Sequence, residues 1–229
     1  MSGEGSLWHR AVRRLRETSW AIDANDGIIA TAGLLQGFAG AGASDRLLLF
    51  AATAAMLAGG LSAGGAKWAE TAAEREGQLA VARQEAAELA ADPEGELAEL
   101  TAYWAGRGLS PSLAREVAAE LTARDALAAQ LDAEHGLEEI LAPSAPWWAG
   151  VETALAFMIG AAVPVLITYF APVAIETWAI VVAVIVSLSL TSLVAAGVGR
   201  FSALRMLLRS LAVGLGTMGV SYLAGLVFF

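Results

Sequence analysis

The sequence has no cysteine and very little histidine, with His9 and His135 the only two imidazoles among its 229 residues. Without cysteine, the chain can form neither disulfide bonds nor thiolate metal sites. Two histidines do not predict an imidazole cluster for zinc or copper. Basic residues are also few, 14 against 23 acidic ones. Nucleic acid is therefore not expected as a partner, because binding to it needs a basic surface.

Apolar residues, by contrast, are abundant. They make up 57% of the sequence, and the mean hydropathy is +0.59. Soluble domains contain roughly 45–50% apolar residues, so the composition predicts a multi-pass membrane protein, and the helical spans and the helical acidic segment described below predict an all-α fold. The hydropathy pattern divides the chain into a basic N-terminal segment, a first pair of spans, an acidic hydrophilic segment and a final set of spans, at 1–23, 24–66, 67–146 and 147–229.

Five stretches are long enough to cross a bilayer as helices, which takes roughly 20 residues. They are 24–42, 47–66, 149–170, 175–198 and 206–228. Arginines precede the first stretch, at 10–16, and the last, at 200–209. Basic residues flanking spans remain in the cytoplasm. The prediction is a cytoplasmic N-terminus, a cytoplasmic domain at 67–146 and an external C-terminus, in the cell membrane.

The acidic segment reads as a small helical domain. Residues 68–91 continue the helix of the second span, and Asp92-Pro93 and Ser110-Pro111 are two helix start signals. Asp and Ser are favoured as N-caps, and Pro is favoured at the first helical position. Gly136 is a typical residue for ending a helix.

The first predicted span is unusual because it contains Asn25, Asp26 and Gln36. A carboxylate inside the hydrocarbon costs on the order of a few kcal/mol, so it usually faces a bundle interior or a water-filled path. Two interpretations of Asp26 are open. It marks the interfacial end of the helix as an N-cap, or it binds a cation on a transport path.

Pairs of glycines four residues apart occur in the first two spans, Gly33 with Gly37 and Gly60 with Gly64. Such small-residue faces let helix backbones approach closely. The sequence leaves open whether they pack within one protomer or form a dimer contact.

The acidic segment also contains pairs of glutamates three residues apart, Glu85 with Glu88 and Glu96 with Glu99. Residues at this spacing share a helix face, and a helix hairpin could bring both pairs to one ion, as in carboxylate-bridged helical bundles. Four carboxylates without thiolates suit Mn²⁺ or Fe²⁺. The alternative is that these acids only form a solvated helix face.

Several motifs together resemble the vacuolar iron transporter family. They are ANDGIIATAGLLQGFAGAGAS at 24–44, AGGLSAGGAKWAE at 58–70, DPEGELAEL at 92–100, YWAGRGLSPSLAREVAAEL at 103–121 and ALAFMIGAAVPVL at 154–166. In this order they cover nearly the whole chain. The resemblance implies a homodimer of five-span protomers that exports Fe²⁺ or Mn²⁺ from the cytoplasm in exchange for protons. It implies no enzymatic activity, no catalytic residues and no resident cofactor.

The resemblance also assigns roles to individual residues. Asp26 matches the acid in the family's ion path, which lies on the two-fold axis of the dimer. The family's cytoplasmic domain collects metal through acidic ligands, and the residues of this chain that match them are Glu85, Glu88, Glu96, Glu99 and Asp125.

This sequence departs from the family pattern at several positions. Ala63 replaces a pore methionine, Lys67 replaces a glutamate, and Leu121 with Thr122 replace methionines of the metal domain. Loss of soft thioethers predicts a preference for harder ions, and hence for manganese over iron. Lys67 and Ala63 also favour an alternative function, a membrane-anchored metal sensor or buffer that does not transport. A structural membrane protein with a solvated acidic face is a third interpretation.

Overall fold

The computed structural model describes residues 4–198 and 203–228, and all of its regular structure there is α-helical. Arg200, one of the arginines that precede the last predicted span, lies outside the described residues. The helices within them are α1 (Glu4–Gly40), α2 (Asp45–Ala91), α3 (Pro93–Gly106), α4 (Pro111–His135), α5 (Ala145–Phe170), α6 (Val173–Val198) and α7 (Ala203–Phe228).

The chain folds as two compact units. The first, called the membrane unit below, consists of Met1–Trp68 and Trp148–Phe229, and the second, the acidic unit, consists of Ala69–Trp147. Helix α2 begins in the membrane unit and ends in the acidic unit as one uninterrupted helix. The predicted continuation of the second span into a hydrophilic helix is therefore confirmed.

Within residues 4–198 and 203–228, four helices are long and apolar enough to cross a membrane: α2, α5, Ile175–Leu193 of α6 and Leu207–Phe228 of α7. The apolar stretch of α2 is its first part, because charged residues recur from Lys67 onward. The first predicted span, 24–42, is not among the four, since Asp26, the amides Asn25 and Gln36 and the glycines lower its hydropathy. These observations establish an all-α membrane protein.

The core of the membrane unit forms where α1 meets α6 and α7. Helix α1 has a buried apolar stripe at helical spacing, Ile28, Ala32 and Leu35. Ile180, Val184 and Leu188 of α6 form a matching stripe, and Leu48 and Ala52 of α2 and Met218 of α7 complete the cluster. Residues spaced by three or four lie on one helix face, so each helix presents a continuous apolar surface to its neighbours.

Helices α1 and α5 approach each other so closely that only glycine fits at the crossing. A Cβ atom added to Gly160 would overlap the carbonyl oxygen of Ala24, and one added to Gly27 would overlap the carbonyl oxygen of Phe157. The glycines therefore allow direct backbone contact, as in other helix pairs with small residues at the interface. This crossing holds the segment of α1 that carries Asp26 against α5.

The two predicted glycine pairs also pack within the protomer. Cβ atoms at Gly33 and Gly37 would lie 3.5 and 3.3 Å from the nearest Ser221 atoms of α7. The other pair, Gly60 and Gly64, contacts α5 in the same way. Of the two interpretations left open by the sequence, the structure supports packing within one protomer for these four glycines.

Local signals set the helix ends of the acidic unit. Asp92 caps α3 by accepting a hydrogen bond from the Gly95 N–H at 3.0 Å, and Pro93 occupies the first turn. Gly136 ends α4 in the left-handed conformation, at φ 63°. After α4 the chain returns to α2, where the side chain of Gln78 accepts a hydrogen bond from the Leu141 N–H at 2.8 Å.

Candidate metal centre

The turn at Asp92 joins α2 to α3 and brings together the glutamates on either side of it. Only this residue separates the two helices, because α2 ends at Ala91 and α3 begins at Pro93. Carboxylate oxygens of Glu85, Glu88 and Glu96 lie within 4.8 Å of one another, which is close enough to share an ion.

Helix α4 adds two residues that sequence reasoning missed, Glu134 and His135 in its last turn. One ligand atom each from Glu85, Glu134 and His135 forms a second group within 4.8 Å, and Glu96, Glu99 and Glu134 form a third. The left-handed Gly136 ends the helix at this point, its N–H bonding to the Asp132 carbonyl at 3.1 Å. The sequence predicted that the helix ends at Gly136, but it did not predict that the last turn of the helix would lie beside Glu85.

The three groups overlap and form one site. Glu85, Glu96 and Glu134 each belong to two groups, and each comes from a different helix. Carboxylates can bind two ions at once, one through each oxygen, so the shared residues could bridge neighbouring ions. We call this set the carboxylate–imidazole cluster; its members are Glu85, Glu88, Glu96, Glu99, Glu134 and His135.

Glu85 is the buried member of the cluster, with only 1% of its surface exposed. Its Oε1 atom has no hydrogen-bond partner, and its Oε2 atom lies 3.5 Å from His135 Nε2. A buried, unpaired carboxylate oxygen is costly. Burial raises the pKa of Glu85, the negative charges of Glu134 and Glu96 raise it further, and His135 opposes them. A bound cation or a proton would relieve this cost.

Glu134 is affected in the same direction. Loss of hydration raises its pKa, as do a hydrogen bond to Glu99 and the charges of Glu99 and Glu96, while His135 acts in the opposite sense. Like charges held close together favour the protonated form. The cluster therefore holds an excess of negative charge, which a divalent cation would neutralise.

Gln130, one turn before Glu134, supports the site from α4. Its Nε2 atom donates to the carbonyl oxygen of Glu96 at 2.7 Å and to the Glu96 carboxylate at 2.9 Å. The residue is 2% exposed, and its own Oε1 has no partner. Gln130 thus fixes the position of Glu96 relative to α4.

The structure does not bring Asp125 into any of the three groups of described residues. It lies at a kink in α4, where its φ of −162° is extended, and its Oδ1 atom accepts a hydrogen bond from the Ala128 N–H at 3.0 Å. Asp125 therefore caps the second half of α4. Its assignment as a ligand stays a prediction.

Asp26 lies well inside α1, which begins at Glu4. Its interpretation as an N-cap is therefore wrong. The neighbouring Asn25 is buried and accepts a hydrogen bond from Ser187 at 2.7 Å, whereas Asp26 is exposed on the surface of the protomer. One turn earlier, Asp23 accepts a hydrogen bond from Thr153 at 3.0 Å and lies within electrostatic reach of Lys67.

The sequence model of the VIT family matches residues 18–226, which include the whole acidic unit, most of the membrane unit and every residue of the cluster. The chain belongs to the VIT family. No curated protein sequence matches it. The resemblance to vacuolar iron transporters is confirmed, and membership in the VIT family indicates a membrane metal transporter rather than an enzyme.

Proposed function

We propose that this VIT-family protein exports Fe²⁺, Mn²⁺ or both from the cytoplasm in exchange for protons, and so contributes to iron and manganese homeostasis. The observation that carries the proposal is the carboxylate–imidazole cluster around the unpaired, buried oxygen of Glu85. Oxygen-rich sites without thiolates suit Mn²⁺, and a nitrogen ligand extends their range to Fe²⁺. These ions are cargo and not a resident cofactor.

The cluster would act as the collecting site. Five carboxylates attract divalent cations and raise their local concentration. Because three of these carboxylates are shared between groups, more than one ion could bind at a time. In this proposal the acidic unit is cytoplasmic, as the basic residues beside the first and last predicted spans indicate.

The transport path would involve Asp26. We infer that α1 is a fifth span despite its polar residues, since the acid is exposed on the protomer surface and a lipid-facing carboxylate is costly. A second protomer packed against this face would cover Asp26 and its counterpart, which gives a homodimer with a shared path. An ionised Asp26 would bind the metal, and its protonation would release the metal and carry a proton in return.

Flux measurements test the proposal. The protein is reconstituted into proteoliposomes with an acidic lumen, and Fe²⁺ and Mn²⁺ uptake is followed with a trapped fluorescent indicator. We expect uptake that is faster with the proton gradient than without it, together with alkalinisation of the lumen. Empty liposomes and a gradient collapsed by ionophore are the controls. An absence of flux for both ions would contradict the transport proposal.

A second candidate function is a membrane-anchored metal sensor or buffer. The favouring observation is Lys67, whose positive charge acts on Asp23, one turn from Asp26. A cation near the path would oppose the entry of metal ions. Metal binding by the full-length chain without flux would identify this alternative, and absence of both would leave a structural role.

A further inference from the structure

The imidazole of His135 is the one nitrogen ligand among the six residues of the cluster. We propose that His135 binds the metal directly and makes the cluster select borderline ions such as Fe²⁺, Co²⁺ and Zn²⁺ over Mn²⁺ and Mg²⁺. This inference rests on the proposed function, because it requires that the cluster binds the transported ions.

The first argument is the distance from His135 to Glu85. The 3.5 Å between His135 Nε2 and Glu85 Oε2 is longer than a charge-assisted hydrogen bond, which spans about 2.7–2.9 Å. It matches two atoms that share one ion, because ligands about 2.1 Å from a tetrahedrally coordinated metal lie about 3.4 Å apart. The two atoms are therefore close enough to bind the same ion.

The second argument is how the fold places the ring. Gly136 ends α4 immediately after His135, and the Leu137 N–H bonds back to the Leu131 carbonyl at 3.0 Å. This hydrogen-bonded helix end fixes the backbone of the last turn. The side chain of His135 is 38% exposed, so an ion could reach it from water while Glu85 holds the buried side of the same group.

The third argument is ligand chemistry. Carboxylates alone suit Mg²⁺, Ca²⁺ and Mn²⁺, whereas imidazole suits iron, zinc and nickel. The group formed by Glu85, Glu134 and His135 differs from the two all-carboxylate groups in this respect. The imidazole of His135 therefore takes the place of the methionine thioethers that this sequence lacks. At the group formed by Glu85, Glu134 and His135, the preference for manganese predicted from the loss of those thioethers would be reversed.

Competition titrations on the full-length chain in detergent test the inference. Co²⁺ serves as an air-stable substitute for Fe²⁺, and the affinities for Co²⁺ and Mn²⁺ are measured against a chromophoric chelator. For His135→Leu we expect Co²⁺ affinity to fall by at least about tenfold, the lower range for losing even an outer-sphere partner. Mn²⁺ affinity should change by less than about threefold, because Mn²⁺ is satisfied by carboxylates.

A second variant tests whether Co²⁺ affinity depends on a nitrogen ligand at position 135 or on any ligand there. His135→Asp replaces the imidazole with an oxygen donor, and we expect it to retain Mn²⁺ binding without restoring Co²⁺ affinity. Recovery of Co²⁺ affinity to the native value in this variant would overturn the inference, as would an unchanged ratio of Co²⁺ to Mn²⁺ affinity in His135→Leu.

X-ray absorption on protein loaded with less than one equivalent of Co²⁺ gives a direct readout. Imidazole ligands produce a recognisable scattering pattern, and only His9 and His135 can supply it. We expect the pattern in the native protein and in His9→Leu, but not in His135→Leu. Its absence from the native protein, or its loss only in His9→Leu, would overturn the inference.

Glu85→Gln distinguishes failure of the inference from failure of the proposed collecting site. If Glu85→Gln weakens both ions while His135→Leu leaves their ratio unchanged, the cluster binds metal and only the inference on His135 fails. If the native chain binds neither ion, or Glu85→Gln binds both as well as the native chain, the collecting site and the inference on His135 fail together.

Discussion

Gln130 and Glu96 are joined by two hydrogen bonds from a single amide group, one to the backbone carbonyl at 2.7 Å and one to the side-chain carboxylate at 2.9 Å. The contact links α4 to the start of α3 and orients a carboxylate that belongs to two of the three cluster groups. Gln130 itself is in none of these groups, so it acts as a positioning residue.

We expect Gln130→Leu to lower the free energy of unfolding by about 1–3 kcal/mol, the usual cost of leaving a buried polar group without its hydrogen-bond partner. Affinity for Mn²⁺ should fall as well, because Glu96 loses its fixed orientation. Thermal unfolding and metal titration measure the two effects. The comparison variant is Gln78→Leu, because Gln78 also makes a hydrogen bond within the acidic unit, from the Leu141 N–H, but neither residue belongs to the cluster. Equal effects of the two substitutions would contradict the positioning role.

Glu85→Gln should stabilise the metal-free protein at neutral pH. The pKa values of Glu85 and Glu134 are raised in the folded state, so their contribution to stability is present below the ordinary glutamate pKa and is lost as pH rises through the raised values. Removing the buried charge of Glu85 avoids this loss of stability at neutral pH, and we expect a gain of about 0.5–2 kcal/mol, the amount that single stabilising substitutions commonly give. Thermal melts of metal-free protein test this, with the exposed Glu116→Gln as the control. Lower stability of Glu85→Gln at pH 7 would disprove it.

Acidification should weaken metal binding at a higher pH than it would if the ligands were glutamates with the ordinary pKa. Protons compete with the ion for Glu85 and Glu134, and the raised pKa of each places this competition at higher pH. Calorimetric titrations with Mn²⁺ in steps from pH 7 downward would show affinity beginning to fall at a pH above the ordinary glutamate pKa. A pH-independent affinity down to the ordinary glutamate pKa would show that these two carboxylates are not ligands.

Asp26→Asn should abolish metal flux without reducing metal binding by the cluster. The substitution removes the charge that would bind the ion and exchange the proton, while Asn keeps the size of the side chain. Flux in proteoliposomes and metal titration of the same preparation provide the two readouts. Asp45→Asn is the matched control, because Asp45 is an exposed acid in the first turn of α2. Normal flux in Asp26→Asn would remove this residue from the path.

Gly160→Ala should destabilise the membrane unit by about 1–3 kcal/mol, the common cost of overpacking. The new Cβ would overlap the Ala24 carbonyl oxygen and push α1 away from α5. Gly65→Ala provides the contrast, since a Cβ there has nothing within 4 Å and alanine is favoured over glycine in helices by about 1 kcal/mol. Melting temperatures in detergent compare the two. A Gly160→Ala variant as stable as Gly65→Ala would exclude this crossing.

Local signals in the sequence predicted much of the helical fold. Asp92-Pro93, Ser110-Pro111 and Gly136 act on the residues next to them, and the helices begin and end there as expected. Composition likewise predicted a membrane protein, and the lengths of the predicted spans with the helix signals predicted an all-α fold. The N-cap interpretation of Asp26 was wrong because α1 extends far upstream, through a segment whose polarity suggested a separate region.

The candidate site was predicted less completely, because spacing within a helix does not reveal which helices meet. The i, i+3 pattern identified Glu85 with Glu88 and Glu96 with Glu99, but Glu134 and His135 are adjacent and form no such pair. Their proximity to Glu85 depends on how α4 packs on α3 and where it ends. Gly136 marked that end, and the acidic and imidazole residues just before it were the available signal.

The sharing of carboxylates among three helices has a mechanical consequence. Glu85, Glu96 and Glu134 come from α2, α3 and α4, respectively, so each bound ion would crosslink at least two of these helices. Without a bound ion the like charges of these carboxylates repel one another, and loading would replace that repulsion with coordinate bonds. The rigidity of the acidic unit would then increase with the concentration of free metal ions, so that the transported ion would itself stabilise the unit that binds it.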